Sequence, residues 1–591
     1  VRWRARTFGI GLALLTVVFL AGLAATAYSP IRTDAALSGT SVGLVVDLPV
    51  RDPSVLAAYA GVLKEEGFAY EVLTRQELAK WSPEALRQRC GALILLEGEN
   101  PDLSVSEVEV LSRYVEKGGQ LLAVYDAGLQ QPAFWELLGV RLQNLSYDGY
   151  WSFGSPGRAR FWGFTPGKYD GRGFVTGYGY GRLKYRHLRA TATTASVLAW
   201  DGRNPVVTAR RCESGGAVVY VNVPLAWHKK RTDDLPLRAV LQTFLTSYAH
   251  LPHLVNAPEG KGTLVVNLHV CSSAWASSLA RLVEEGLLDR RLPYSVHITA
   301  GPDCRQPGDG LGFHAERPDR AELVRKVAVR ASVGSHGGWA HDYFAYHLVN
   351  TPSDRAKEYL ERNFTCLQSI TGRPVREYSA PGGNHPPWVT RWLAEHGVVA
   401  FYSPGNGGSA PQRPWLDDQP LEGKLWEFPV TPCGRWACLE ELSRHHVPAD
   451  EVKGWIDELT TFCARRRVIR TIYTHAAAYP YAHQVLQHLH DRLLELSQEG
   501  RLRVATMEEV ADFLNRRALT TWRFTRQGRN GYKVELANPE GLNGLTLAFY
   551  LGPGHSLRRL PPGWRAEYEN GWCYLTCWKK ITSDSFTIRV E

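Results

Sequence analysis

What the chain lacks narrows its chemistry before any motif is considered. None of its ten cysteines forms a CxxC pair or part of a short disulfide grid, so neither a zinc ribbon nor a disulfide-stapled miniprotein is expected. Cys433 and Cys438 are the nearest candidates for pairing, and buried free thiols are the other reading. There is no basic block: a net charge of +9 is spread over 591 residues, which argues against a nucleic acid partner and suits an anionic envelope or polysaccharide. No G-x-G-x-x-G or P-loop stands at a strand–helix turn. Hydrophobic residues at 44% and charged residues at 21% exclude disorder, collagen and coiled coil, and the length predicts three to four domains.

Long apolar runs are also scarce. The one of bilayer length is Phe8–Ala27, behind Arg2, Arg4 and Arg6. It predicts an N-terminal transmembrane helix or signal anchor within residues 1–30, with the remainder facing the cell exterior or periplasm. Ala25-Thr26-Ala27 leaves open a cleaved signal peptide and a secreted product. The lack of a second such run excludes a transporter.

From Ser41 apolar strands alternate with helical periodicity, which implies βαβ units and a parallel sheet over residues 40–250. The strand–helix–Gly-Gly–strand segment "GALILLEGEN…SEVEVLSRYVEKGGQLLAVYDAG" resembles a flavodoxin-like or class I glutamine-amidotransferase-like domain. That resemblance implies a Cys nucleophile after the last strand. Asp126-Ala127-Gly128 stands there instead, so the domain reads as a binding or scaffolding unit. An aromatic and Gly-rich β insertion is expected at about 140–200. Tyr147–Tyr185 holds twelve aromatics and ten glycines, suited to stacking on sugar rings or to forming a small core of its own. At the far end, residues 519–591 show six strand-length runs with Gly, Pro, Asn and Asp between them, which predicts an all-β sandwich.

The chemistry-bearing residues lie between. Thr263–Leu268 is an apolar strand running into His269-Val270-Cys271. His336 and His341 sit in "VGSHGGWAH", Ser379, Pro381, Gly382 and His385 in "YSAPGGNH", and Ile472-Tyr473-Thr474-His475 ends a late strand. Loops carrying His after apolar strands, separated by helical segments, would converge at one mouth of a β/α barrel over residues 260–516.

That order resembles the NodB-homology polysaccharide deacetylases, whose distorted (β/α) barrel removes acetyl groups from N-acetylated polysaccharide or peptidoglycan-like glycan with a divalent metal. The resemblance implies His336 and His341 as metal ligands, His475 as general acid, and a pocket shaped by Ser379, Pro381, Gly382 and His385. The family's first motif carries two acidic residues, yet no Asp or Glu occurs from Thr263 to Leu282. His269 or Cys271 would then complete the ligand set, both suiting Zn, and Asp342 would serve as base if its loop turned inward. Five residues separate His336 from His341, about 140° apart on a helix, so the loop between them must be irregular, as Gly337-Gly338 permits. The reading is an exported, membrane-anchored, metal-dependent N-deacetylase. The alternative is a catalytically inactive deacetylase-fold protein acting in glycan binding or assembly.

Overall fold

The computed structural model describes residues 39–151, 183–201, 204–229, 234–404, 408–433, 436–476, 481–528 and 531–591. The expected membrane-spanning helix, and the membrane-anchored location built on it, are corrected: among the described residues no helix is long and apolar enough to cross a membrane. The run Phe8–Ala27 lies outside the described residues, as does most of the aromatic and Gly-rich segment.

Residues 41–247 form an open sheet covered on both faces. Its strands are β1 (Ser41–Val46), β2 (Tyr70–Thr74), β3 (Cys90–Leu95), β4 (Gln120–Val124), β7 (Ser196–Asp201), β8 (Asn204–Arg211) and β9 (Ala217–Val221), in the order β2-β1-β3-β4-β9-β8-β7. The first five in that order are parallel, and β8 and β7 close the edge antiparallel. β5 (Val140–Trp151) and β6 (Leu183–Ala192) pair as a separate antiparallel sheet that packs on this one through Leu142 and Ala190. Because successive side chains alternate faces, Val42, Leu44 and Ile94 join one buried cluster, while Val45, Leu93 and Leu95 join the other. The covering helices are capped by their own sequence. Ser104 and Glu107 form a capping box at the start of Val105–Glu116, and Gly67 closes Pro53–Glu66 in the left-handed region.

The middle of the chain is a nearly closed parallel barrel. After β10 (His253–Leu254) come β11 (Gly262–Val270), β12 (Ser295–Ile298), β13 (Ser332–His336), β14 (Glu377–Ser379) and β15 (Ala400–Ser403). A small ribbon of β16 (Trp415–Leu416) and β17 (Gln419–Pro420) follows, then β18 (Trp426–Pro429), β19 (Ile469–His475) and β20 (Leu502–Val504). The sheet runs β18-β15-β14-β13-β12-β11-β19, with β20 beside the start of β11. A parallel bridge between Val430 and Thr471 brings its two ends together. Leu264, Val266, Leu268 and Val270 of β11 face outward into the cluster under the surrounding helices, so Asn267 and His269 face the lumen.

The C-terminal unit packs two antiparallel sheets. One is β21 (Thr521–Gln527), β22 (Gly531–Ala537) and β26 (Ser583–Arg589). The other is β23 (Thr546–Tyr550), β25 (Trp572–Cys577) and β24 (Trp564–Glu569), with β10 added at its edge. Trp522, Phe524 and Val534 of the first sheet meet Leu547, Leu575 and Cys573 of the second. All ten cysteines are free, Cys433 and Cys438 included.

Buried charge joins the open sheet to the barrel. Arg238 binds Glu65, Glu66 and Asp234, and Lys229 binds Glu65 at 3.0 Å and Asp234 at 2.7 Å. The same carboxylates accept from Arg413 N and Ser409 Oγ of the barrel. Burial opposes the charge on Asp234, yet Arg238 and Lys229 hold its pKa below the ordinary carboxylate value.

Candidate active site

In a parallel barrel every strand ends at the same mouth, and His269, Cys271, His336, Ser379 and His475 stand on strand ends or just beyond. His269 pairs in register with His475 on one side and with His297 on the other, and His336 pairs with Ser379. The rings follow the register. His269 lies 4.2 Å from His336 and 5.6 Å from His475, centroid to centroid. His341 follows beyond a short loop, as the first residue of the helix His341–His347, its ring 4.7 Å from that of His336. That loop turns at Gly337, which has φ +69° and whose absent side chain leaves room for Pro381, 2.3 Å from where a Cβ would stand. Glycine is therefore required there.

Each of the two facing imidazoles is held by its other nitrogen. His336 Nδ1 lies 2.7 Å from Ser379 Oγ and 3.3 Å from the Ser379 carbonyl, and His341 Nδ1 lies 2.7 Å from Asp342 Oδ1. A carboxylate only accepts, so in the neutral His341 ring Nδ1 carries the proton and Nε2 presents a lone pair, whereas the Ser379 hydroxyl can donate to or accept from His336 Nδ1. The two Nε2 atoms are 2.9 Å apart, a separation satisfied by a proton or a cation between them.

A metal fits this donor set. Cys271 Sγ, His336 and His341 offer ligand atoms within 4.8 Å of one another. Two imidazoles and a thiolate suit Zn, and two tetrahedral Zn–N bonds of ~2.0–2.1 Å place their nitrogens ~3.3 Å apart. Ring nitrogens fixed by a hydroxyl and a carboxylate are the usual outer support of metal-binding histidines. Burial, then the neighbouring imidazoles, pushes His336 and His269 well below the ordinary histidine pKa, so both are neutral at pH 7. Burial also raises the Cys271 thiol, which must lose its proton to ligate.

His475 stands across the mouth with a carboxylate that sequence reasoning missed. Its Nδ1 lies 2.8 Å from Glu440 Oε2, and Trp275 stacks on its ring at 5.1 Å. The Glu440 carboxyl is held below its usual pKa, first by the nearby His475 ring and against its own burial. Glu440 opens the short helix Leu439–Arg444, where acidic residues are common for electrostatic reasons, so its position carried no signal. Below the mouth a second buried pair was also missed: His297 Nε2 meets Glu377 Oε2 at 3.0 Å, both fully buried. Glu377 also accepts from the N–H of Glu508, and Gly334 leaves space for the His297 ring.

The other expected residues are placed as follows. Asp342 holds His341 by Nδ1 and is about a third exposed at its side chain (34%). Ser379 is fully buried and faces His336, and Pro381 is buried against Gly337. Gly382 has φ +60° with open space beside it. His385 lies away from the cluster, stacked on Phe401 at 4.5 Å with its Nε2 2.9 Å from Thr390 Oγ1, and burial lowers its pKa to about 3. His269 Nε2 is 2.6 Å from Asn267 Oδ1, which fixes that ring.

No family model matches the chain, and no curated protein matches it. Among solved structures it is similar to a protein described as a probable polysaccharide deacetylase from Pseudomonas aeruginosa PAO1, at 13% identity over 46% of this chain and 97% of that one, TM-score 0.34. It is also similar to a polysaccharide deacetylase from Bacillus cereus, at 11% identity over 42% of this chain and 92% of that one, TM-score 0.26. A third is Puue allantoinase, at 14% identity over 46% of this chain and 95% of that one, TM-score 0.31.

Proposed function

We propose that the barrel is a metal-dependent amide hydrolase that removes acetyl groups from an N-acetylated polysaccharide or peptidoglycan-like glycan. The observation that carries this reading is the meeting of His336 Nε2, His341 Nε2 and Cys271 at one point, across from the His475–Glu440 pair.

His336, His341 and Cys271 would hold the cation, and a zinc ion there supplies Lewis acidity towards an amide carbonyl. The remaining work belongs to the chain. Ser379 and Asp342 keep the two imidazoles turned with Nε2 forward. His475 takes the proton of the attacking water and returns it to the nitrogen of the leaving amine, acting as base and then as acid. Glu440, 2.8 Å from His475 Nδ1, stabilises the imidazolium that forms between those transfers. Trp275 stacks on one face of the ring and limits its rotation. The lack of a carboxylate after β11 is thus met by one arriving from Leu439–Arg444. This favours a working site over an inactive one.

The test is acetate release from N-acetylglucosamine oligomers by metal-loaded protein, compared with His336→Ala and His475→Ala. Release by wild type and loss of at least about a hundredfold in both variants is expected. Acetate release no greater than that of the variants, with several metals and glycans, contradicts the reading.

A further inference from the structure

At the other end of the barrel lies a cavity of about 370 Å³ lined by all three units. Arg467 and Val468 on its wall precede β19, whereas His475 ends that strand. A seven-residue strand at ~3.3 Å per residue separates the cavity from the imidazoles by roughly 20 Å.

Its charge is unbalanced towards the positive. Of the carboxylates on its wall, Glu66 is held by Arg238 and Gln242, and Glu569 lies 3.6 Å from Arg467. Arg465 and Arg466 also line it, at the end of the helix Ala449–Arg466, and both are exposed. Among the described residues neither forms an ion pair. A guanidinium group matches a carboxylate in geometry and charge.

The opposite wall is aromatic. Tyr550 is backed by His250, stacked on it at 4.0 Å, and the half-buried Trp572 stands 5.7 Å from Tyr550 at a tilt of 58°. Gln242, Thr246 and Asn570 line the remainder. Amides and hydroxyls both donate and accept, as ring hydroxyls of a sugar require, and aromatic rings pack on the apolar faces of pyranoses.

We propose that this cavity is a second saccharide site, which binds one or two acidic, carboxylate-bearing sugar units away from the barrel mouth. Its volume is at the small end of the ~300–1,000 Å³ of ligand pockets, and its enclosure by three units suits a short sugar segment better than a nucleic acid strand. The inference stands independently of amide hydrolysis at the mouth.

The test is calorimetric titration of the full chain with trigalacturonate, with galactotriose as the neutral control and a thymidine oligonucleotide as the nucleic acid control. Trigalacturonate is expected to bind in preference to both. Removing two charged hydrogen-bonding groups in the double variant Arg465→Ala/Arg466→Ala should weaken binding about tenfold or more. Trp572→Leu should also weaken it, and His336→Ala should leave it unchanged. Both arginines are exposed, and an unchanged melting temperature in the double variant shows that the fold is retained. The proposal is overturned by no binding of trigalacturonate at millimolar concentration, by equal affinity in the double variant, by loss in His336→Ala, or by tighter binding of the oligonucleotide.

Discussion

His336 and His341 point their Nε2 atoms at each other across 2.9 Å, each ring fixed from behind, by Ser379 and Asp342 respectively. This relationship joins a strand end to the first residue of the helix His341–His347, five positions on.

Loss of either rear support should loosen the cation without unfolding the barrel. Ser379→Ala and Asp342→Ala are each expected to lower zinc affinity about 10–100-fold, the usual effect of removing the group that holds a metal-binding imidazole from behind. Competition with a chromophoric chelator measures this directly. His336→Ala should abolish high-affinity binding altogether.

Glu440→Gln separates proton transfer from metal binding. The carboxylate touches His475 and not the His336–His341 pair, so zinc content should stay at the wild-type level. Turnover should fall by about 10²–10⁴, the range attributed to positioned acid–base groups. Acetate release and metal analysis on the same preparation provide both readouts.

Gly337→Ala should damage the mouth out of proportion to its size. The new Cβ would meet Pro381 at 2.3 Å on a residue with φ +69°. A strained left-handed residue costs about 1–3 kcal/mol. The expected result is a lower melting temperature together with reduced zinc binding.

Stability should also fall as pH rises through the range set by Glu97. Burial, offset in part by hydrogen bonds from Tyr59 and Ala226 N, raises its pKa from 4.5 to about 7 in the folded chain. The folded state therefore binds more protons than the unfolded one between those values. By linkage, unfolding free energy declines across that window by up to about 3 kcal/mol and then levels off. Urea denaturation at pH 5 and pH 8 measures the slope, and Glu97→Gln should flatten it.

Much of this architecture was legible because it rests on local pattern. Thr263–Leu268 and Ile472–His475 are apolar runs ending in His, and the structure has β11 at Gly262–Val270 and β19 at Ile469–His475. The six runs after Thr520 are punctuated by Gly, Pro and Asn, and strands occur from Thr521–Gln527 to Ser583–Arg589. What escaped depends on distant partners. Glu440 is 35 positions from His475 and Glu377 is 80 from His297, and no periodicity links such pairs. Ser379, expected at the substrate pocket, hydrogen-bonds the His336 ring. His385 belongs to the same loop motif, yet its ring packs on Phe401, because an imidazole next to an apolar strand can serve as a core ring.

The central claim is that His336, His341 and Cys271 share one cation, and X-ray absorption at the zinc edge on the purified, zinc-loaded chain tests it most directly. The account predicts one equivalent of zinc with two imidazole nitrogens at ~2.0–2.1 Å and one sulfur at ~2.3 Å, the sulfur signal vanishing in Cys271→Ser. Zinc that does not bind, or that binds with a spectrum unaltered in His336→Ala and Cys271→Ser, contradicts it.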